Sequence, residues 1–427
     1  MIYHFKISCT IVLLFFAGIL HAQKDYARKV VDTLASPYME GRGYVDNGDK
    51  KAAKYITGEF KKSGLLPITK TYEQAFSFSV NNFTKPWELN LDGKKLVAGA
   101  DYIVVPSSPS LKGAFPIVLF DRATYLDKTK LREFLNKDYS NAFVLVDDSG
   151  VTEQKEKEVW ESTRFNPFKA KGVIILCNKL TQEMSDTVSK HVLIYALRGY
   201  FPNRPKSLTI NVETEFVKKY TSQNLIGYIK GNVQPDTFIV FSAHYDHLGR
   251  MGSIYFPGAN DNASGVAMLL SMAKYFAQHK ENLKYSVAFI AFSGEEIGLL
   301  GSKYYTEHPL FPLNQIKFLV NMDIMGTGDE GITVVNSTIY KAPYNDLLKI
   351  NDSLHLLKEL KQRGPTSNSD HYFFYTNHVP CFFIYTMGGI KAYHDIYDRR
   401  ETLPLTNFDD VFHLLIHFTD DICNRRF

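Results

Sequence analysis

The pattern of hydrophobic and polar positions changes twice along the chain. Between residues 25 and 66, Ala53, Ile56 and Phe60 recur at the spacing of one helix face, which predicts a helix in this segment. Between about residues 80 and 217, short apolar runs are separated by charged or proline-containing loops, as is typical of β-strands. These runs are FPIVLF, NAFVLVDD, GVIILC and LTINVE. The middle of the chain is therefore predicted to be a smaller, β-rich region.

From Asn224 onward, apolar β runs alternate with segments of helical period. Strands and helices that alternate in this way predict an α/β fold with a mostly parallel central sheet flanked by helices. The chain has 427 residues, which is long enough for two domains.

The first residues have the order of a signal peptide. Lys6 supplies positive charge, residues 11–20 are almost wholly apolar, and Ala22 is a small residue at the expected cleavage point. The run shows no amphipathic period, which argues against the alternative of a buried helix. We therefore expect a signal peptide at residues 1–22 and an exported, periplasmic or extracellular, bacterial protein. No later run approaches the roughly 18 apolar residues of a spanning helix, so no stable membrane insertion is expected after cleavage.

Composition excludes two classes of protein. Of the four cysteines, Cys9 lies in the predicted signal peptide, and the remaining three do not form a disulfide framework. The 49 basic and 45 acidic residues give a net charge of +4 without a basic tract. This balance argues against nucleic acid as a partner.

Four runs in the second half of the chain place acids or a histidine directly after an apolar strand or at a helix start. They are DTFIVFSAHYDHLG with His244 and Asp246, GANDNASG with Asp261 and Asn262 as helix caps, YSVAFIAFSGEEIGLLGS with Glu295 and Glu296, and IKFLVNMDIMG with Asp323. Open α/β sheets bind ligands outside the carboxyl ends of their strands. These side chains are therefore expected to converge on one crevice.

Acids gathered in a partly dry crevice repel one another unless a cation neutralises them. Carboxylates with imidazole, and no thiolate, fit zinc or another divalent first-row ion at a catalytic site. Two neighbouring metals need one bridging carboxylate and about two further ligands each. His244, Asp261, Glu296, Asp323 and one more histidine meet that number.

The four runs together resemble the co-catalytic zinc aminopeptidase family of peptidase clan MH, which includes glutamate carboxypeptidases and, more distantly, glutaminyl cyclases. The resemblance extends from residue 222 to the C-terminus and, more weakly, over residues 32–66 with the run LASPYMEGRG. It implies the zinc exopeptidase fold, of the phosphorylase/hydrolase type. It also implies a discontinuous peptidase domain of residues 23–80 and 218–427, interrupted at residues 81–217 by a protease-associated-like insertion. The alternative is an elaboration of the peptidase core by extra strands and loops.

The resemblance further implies the roles of the site residues. Glu295 is expected to be the general base and Asp246 to orient a metal ligand. The expected ligands of two zinc ions, with cobalt or manganese left open, are His244, Asp261 as the bridging residue, Glu296, Asp323 and His394.

The last ligand has competitors among the C-terminal histidines. His394 is preferred because KAYHDIYDRRETL resembles the closing motif of the family. His371, in SNSDHYFF, is expected to be structural or to support a ligand, and His378 and His417 are the other candidates. His247 is expected to be a loop residue or a contact of a ligand.

The function implied is metal-dependent hydrolysis of N-terminal residues from peptides with free N-termini, and the substrate's amino group would bind the second metal. A glutaminyl cyclase is one alternative, although Tyr393 stands where cyclases resemble one another in having tryptophan. A carboxypeptidase would need a basic pocket, for which Arg363 and Arg399 are candidates. A non-catalytic relative is disfavoured because every ligand position and the base position are filled. The oligomeric state stays open.

Overall fold

The structure is a computed structural model that describes residues 23–84, 87–200 and 204–424. The predicted signal peptide at residues 1–22 lies outside the described residues. The strands, numbered along the chain, are β1 (Leu66–Pro67), β2 (Glu73–Phe83), β3 (Glu88–Leu91), β4 (Lys94–Lys95), β5 (Tyr102–Val104), β6 (Leu111–Asp121), β7 (Phe143–Asp147), β8 (Gly172–Cys177), β9 (Val192–Leu197), β10 (Ser207–Val212), β11 (Thr214–Ile229), β12 (Gln234–His244), β13 (Arg250–Met251), β14 (Ile254–Tyr255), β15 (Tyr285–Phe292), β16 (Ile316–Met322), β17 (Gly331–Val335), β18 (Leu360–Arg363) and β19 (Cys381–Met387).

The helices are numbered in the same way. They are α1 (23–34), α2 (Gly48–Lys62), α3 (Arg122–Leu126), α4 (Lys128–Leu135), α5 (Gln154–Ser162), α6 (Gly265–Gln278), α7 (Leu300–Glu307), α8 (Lys341–Leu354), α9 (His371–Thr376) and α10 (Phe408–Asn424). The sequence prediction of a helix before residue 66 corresponds to α2.

A nine-stranded sheet forms the larger part of the fold. Its strands run in the order β1-β11-β15-β12-β16-β19-β17-β18, and β2 pairs with β11. The four central strands β15, β12, β16 and β19 are parallel, whereas β11 and β17 join them antiparallel. The predicted α/β class with a parallel centre is confirmed, and the antiparallel strands on both sides make the sheet mixed.

Helices cover both faces of this sheet. All eight residues of β15 are buried. Val287 and Phe289 pack in one core cluster with residues of α1, α2, α6, α8 and α10, while Ile290 and Phe292 pack in another with residues of α7 and α9. Burial on both faces explains why this strand is a continuous apolar run rather than an alternating one.

A second, eight-stranded sheet has the order β4-β3-β10-β6-β7-β8-β9-β5, with β6 to β9 parallel. Its strands lie between residues 88 and 212, and the four apolar runs of the sequence analysis correspond to β6, β7, β8 and β10. The long strands β2 and β11 pair with each other where the chain enters and leaves this region. The limits 81–217 of the insertion stay a prediction.

The two sheets share packing. Leu248, Met251 and Phe256, which follow β12, are buried in the core cluster of the second sheet together with Leu89 and Ile210. Within the described ranges, no helix is long and apolar enough to cross a membrane.

Candidate metal centre

Three neighbouring parallel strands end beside one another. His244 is the last residue of β12 and pairs with Phe292, the last residue of β15. Glu295 and Glu296 follow β15, and Asp323 follows β16 on the other side of β12. Adjacent parallel strands carry these side chains to one edge of the sheet, which is why an apolar run followed by an acid was informative.

The first group of facing side chains contains one histidine and two acids. Nε2 of His244 lies 3.3 Å from Oδ1 of Asp261 and 3.4 Å from Oδ1 of Asp323. All three residues are buried.

The second group shares Asp261 with the first. Nε2 of His394 lies 3.1 Å from Oδ2 of Asp261 and 3.1 Å from Oε2 of Glu296. The two oxygens of the Asp261 carboxylate therefore face two different histidines, one on each side, which is the arrangement expected of a bridging residue.

The donor set fits zinc in chemistry and in spacing. Zinc binds imidazole nitrogen and carboxylate oxygen at about 2.0–2.2 Å, so two ligands of one tetrahedral ion lie about 3.4 Å apart. The observed separations between His244, His394 and their acids are 3.1–3.4 Å.

Asp261 lies in the irregular turn Ala259–Ser264 before α6. The Asp398 carboxylate accepts hydrogen bonds from the backbone N–H groups of Asn260 (2.8 Å) and Asp261 (2.9 Å).

The expectation that Asp261 and Asn262 both cap an amphipathic helix is only half met. Asn262 Oδ1 accepts from the N–H of Gly265, at the start of α6, but the Asp261 side chain faces the histidines. Most of α6 is buried.

Arg42 supports this turn from the N-terminal part of the chain. Its fully buried guanidinium donates to backbone carbonyls of Leu34, Tyr245, Pro257, Gly258 and Asp261 at 2.8–3.1 Å. Burial lowers the pKa of Arg42 to about 10, so it remains a cation at neutral pH. Arg42 lies in the run LASPYMEGRG, but no local pattern of the sequence marks it as part of the site.

The glycine before Arg42 explains how this segment reaches the site. Gly41 has a φ of +63°, and a Cβ at this position would lie 2.3 Å from the carbonyl oxygen of Gly249. Only glycine allows both this backbone conformation and this close approach.

Asp246 supports the turn that carries the glutamates. Its carboxylate accepts from the hydroxyl of Tyr44 at 2.5 Å and from the N–H groups of Glu295 and Glu296 at 3.4 and 3.3 Å. The nearer contact of His244 Nδ1 is the backbone oxygen of Asp246, at 3.2 Å, while the carboxylate is 3.8 Å away. The predicted orientation of His244 by Asp246 would therefore act through the backbone as well as the carboxylate.

The remaining histidines differ in their relation to the site. Nδ1 of the buried His247 lies 2.5 Å from Oε1 of Glu296, so this residue does contact an expected ligand. His371 is buried against Phe383, and burial lowers its pKa to about 4. His378 and His417 are exposed.

Burial and neighbouring charges separate the two glutamates. Burial raises the pKa of Glu295 well above its usual value, and although His244 opposes this effect, Glu296 and Asp323 reinforce it. Burial also disfavours the charged form of Glu296, but His394 and His247 outweigh burial and lower its pKa to about 2. Two adjacent carboxyl groups thus have opposite tendencies, one to take up a proton and one to stay ionised.

The pKa values of both facing histidines are raised. Burial lowers the pKa of His394, but Glu296 and Asp261 outweigh burial and raise it to about 11. Burial likewise opposes the charged form of His244, while Asp323 and Glu295 raise its pKa well above the usual value. These shifts favour a protonated imidazole beside each ionised acid, and a bound metal ion would take the place of those protons.

A cavity of about 250 Å³ opens onto the site. Among the described residues, it is lined by His244, Asp261, Glu295, Asp323, Ile324, Arg363, Asn368, Phe383, Tyr385 and Tyr393. Arg399 lines a different cavity, next to Tyr255 and Glu401. Of the two arginines that the sequence offered for a basic pocket, only Arg363 therefore lines the cavity at the metal centre.

The second sheet's region also reaches the site. The loop after β8 contributes Gln182, whose N–H donates to the carbonyl of His394 at 2.9 Å and whose carbonyl lies 2.9 Å from His394 Nδ1. In the same loop, Lys179 donates to the carbonyl of Lys391 and lies 3.8 Å from the carboxylate of Asp395.

Comparison with known proteins agrees with this geometry. Residues 224–419 match the profile of peptidase family M28. The chain is 28% identical over 284 residues to aminopeptidase YwaD of Bacillus subtilis (strain 168), an alignment that covers 64% of this chain and 58% of that protein. It is 33% identical over 114 residues to a probable zinc metalloprotease of Pyrenophora tritici-repentis, covering 26% of each chain. The chain thus spans less than two thirds of the length of these curated relatives.

Two solved structures share the fold over most of their length. The zinc aminopeptidase BSAP of Bacillus subtilis superposes with a TM-score of 0.66 at 19% identity and covers 93% of this chain and 94% of its own. A peptidase M28 precursor of Shewanella amazonensis SB2B gives 0.67 at 16% identity, with 96% and 97% covered. Fold and sequence similarity together place residues 224–419 in the class of zinc peptidases. Within that class, this segment carries a peptidase family M28 domain, in agreement with the clan MH family predicted from the four runs.

Proposed function

We propose that the chain is a zinc-dependent aminopeptidase that hydrolyses N-terminal residues from peptides with free N-termini. The observation that carries this proposal is the position of Asp261, whose two carboxylate oxygens face His244 and His394 on opposite sides at 3.3 and 3.1 Å. The similarity to proteins named aminopeptidase supports it.

Two zinc ions are proposed. His244, Asp261 and Asp323 would hold one ion, and His394, Asp261 and Glu296 would hold the other. When bound, such ions lower the pKa of a coordinated water and polarise a carbonyl group. Cobalt or manganese would suit the same oxygen and nitrogen ligands. Which metal is loaded depends on availability as well as affinity.

His247 is assigned a supporting role. Its Nδ1 lies 2.5 Å from Glu296 Oε1, which is a hydrogen-bond distance and shorter than the about 3.4 Å expected between two ligands of one ion. We therefore assign His247 to orienting Glu296. His394, whose Nε2 lies 3.1 Å from both Asp261 and Glu296, is assigned as the second histidine ligand.

Glu295 is proposed as the general base. It lines the cavity beside His244 and Asp323, and its backbone N–H is held by Asp246. Its pKa is raised above the usual value, first by burial. A carboxylate with a raised pKa accepts a proton from the attacking water and returns it to the leaving amine more readily than an ordinary one.

We also propose that residues 81–217 form an inserted, protease-associated-like region and that the chain is exported, to the periplasm or beyond, after loss of residues 1–22. The contact between Gln182 and His394 supports a role of the insertion at the metal site. A carboxypeptidase is the second candidate function, and the position of Arg363 in the catalytic cavity favours it over the cyclase.

The test is hydrolysis of aminoacyl-nitroanilides and dipeptides by purified protein before chelation, after chelation and after zinc is restored. Glu295→Gln should retain two zinc ions while kcat falls by about 10²–10⁴, the contribution typical of general acid–base catalysis. Glu296→Gln is the matched variant and should lose zinc. An enzyme that holds two zinc ions yet hydrolyses none of these substrates would contradict the aminopeptidase proposal.

A further inference from the structure

Arg363 has a fixed place at the rim of the catalytic cavity. It is the last residue of β18, the edge strand that pairs in parallel with β17. Its N–H donates to Oγ of Ser337 at 3.1 Å, and that hydroxyl in turn donates to the carbonyl of Val334 at 2.6 Å. The backbone is therefore anchored, although the side chain is exposed.

The guanidinium of Arg363 has a neutral neighbour. Nη1 donates to the hydroxyl of Tyr385 at 3.0 Å, and the group lies 6.0 Å from the centre of that ring. Among the residues that the structure describes, no carboxylate lies within ion-pair distance of Arg363. Other arginines do have such partners, for example Arg250 with Glu40 at 2.7 Å.

The rest of the cavity does not offer this group a partner. Ile324 and Phe383 form apolar walls, Tyr385 and Tyr393 add aromatic ones, and Asp261 and Asp323 face His244. An arginine side chain presents several donors in a planar fork that matches the two oxygens of a carboxylate. A guanidinium without an ionic partner at the rim of a cavity of residue size is suited to a substrate carboxylate.

We propose that Arg363 binds a carboxylate of the substrate, so that the site prefers peptides with an acidic group close to the scissile bond. The proposal rests on the proposed function and specifies its substrate class. The carboxylate is either the side chain of an N-terminal aspartate or glutamate or the free C-terminus of a short peptide.

Two substrate pairs separate these sources. Glutamyl and glutaminyl nitroanilides lack a C-terminal carboxylate and differ in the side-chain charge alone. Alanyl-alanine and its amide share a neutral side chain and differ in the terminal charge alone. Each pair is measured with the zinc-loaded wild type, Arg363→Gln, Arg363→Lys, and Arg132→Gln, which changes an exposed arginine on α4 in the other region.

Arg363→Gln should lower kcat/KM about 10-fold or more for the acidic member of one pair, as expected for loss of a charged hydrogen bond. The neutral member should change by less than about twofold, because this contact is absent. Arg363→Lys should restore part of the loss, since it keeps the charge without the fork. Calorimetric titration of zinc-loaded protein with glutamate and glutamine gives a binding readout that does not depend on turnover.

A loss confined to the glutamyl nitroanilide identifies the side chain, and a loss confined to alanyl-alanine identifies the C-terminus. Equal losses on acidic and neutral substrates, or no loss on either, would overturn the carboxylate proposal while leaving the aminopeptidase function intact. If the zinc-loaded wild type hydrolyses nothing, the proposed function fails, and calorimetric titration with glutamate, glutamine, alanyl-alanine and its amide then decides whether Arg363 binds a carboxylate: a preference for the acidic member of either pair that is lost in Arg363→Gln supports it, and no preference overturns it.

Discussion

The two sheets both carry acids at the ends of parallel strands, but they neutralise those acids differently. In the second sheet, β6 ends at Asp121 and β7 at Asp147, which is followed by Asp148. Arg198 pairs with both Asp147 and Asp148, and Arg204 lies 3.4 Å from Asp121. Permanent cations of the chain thus balance these acids.

In the first sheet, the corresponding acids face imidazoles. Asp261, Glu296 and Asp323 lie 3.1–3.4 Å from His244 or His394. In the part of the chain that the structure describes, no lysine or arginine forms an ion pair with these three acids. An acid at a strand end therefore does not by itself indicate a metal site. Acids that face titratable imidazoles are better candidates, because a metal ion can replace the imidazole proton.

The largest effect that tests this contrast is expected from matched Asp→Asn changes. Asp261→Asn removes the negative charge shared by both groups, so both zinc ions and nearly all hydrolytic activity should be lost. Asp147→Asn removes an acid from the arginine-balanced sheet end. Because Asp147 pairs with an arginine of the same region and contacts no residue of the metal centre, zinc content and kcat should stay within about twofold of wild type. Zinc per chain, measured by plasma emission spectrometry after dialysis, checks both.

If Asp261→Asn keeps two zinc ions, the bridging assignment is wrong. If Asp147→Asn loses zinc, the difference between the two sheet ends does not explain where metal binds.

The sequence predicted the parts of the site that follow regular patterns. His244, Glu295, Glu296 and Asp323 each come just after a continuous apolar run, and strands buried on both faces make such runs. Asp261 was found because its turn precedes a helix. The order of these motifs was sufficient to place them at one edge of a parallel sheet.

The supporting contacts could not be predicted in this way. Arg42 acts through backbone carbonyls of Tyr245 and Pro257, more than 200 positions away, and no local period signals such contacts. Gln182 also contacts His394 through its own backbone N–H and carbonyl, so the identity of the Gln182 side chain carries no signal of these contacts. Long-range backbone acceptors are visible only once the fold is assembled.

An intermediate effect is expected where the two regions meet. Gln182→Pro removes the N–H that holds the His394 carbonyl, whereas Gln182→Ala keeps both backbone groups and removes only the side chain. Loss of a group that orients a metal ligand typically lowers affinity about 10–100-fold. The proline variant should therefore bind one of its two zinc ions about 10–100-fold more weakly by equilibrium dialysis, and the alanine variant should resemble the wild type. Equal affinities in all three proteins would show that the second region does not support the metal centre.

The smallest effect concerns a third way of neutralising an acid, which is to keep its proton. The buried Asp49 of α2 accepts from Tyr220 Oη at 2.6 Å and Ser222 Oγ at 2.8 Å, and it is part of neither the arginine pairs nor the histidine groups. Burial raises its pKa from 3.8 to about 6, although both hydrogen bonds oppose this shift.

Because the folded chain holds the Asp49 proton more tightly than the unfolded chain, this group's contribution to the free energy of unfolding is complete below pH 4 and is lost as the pH rises to about 6. Asp49→Asn cannot ionise, so its stability relative to wild type should rise over that window by on the order of 2 kcal/mol. Urea unfolding of both proteins at several pH values, with chelator present throughout so that zinc does not contribute, isolates this difference. A constant difference between Asp49→Asn and wild type from pH 4 to 7 would mean that Asp49 is ionised in the folded protein. Hydrogen bonds from Tyr220 and Ser222 would then suffice to hold a buried charge.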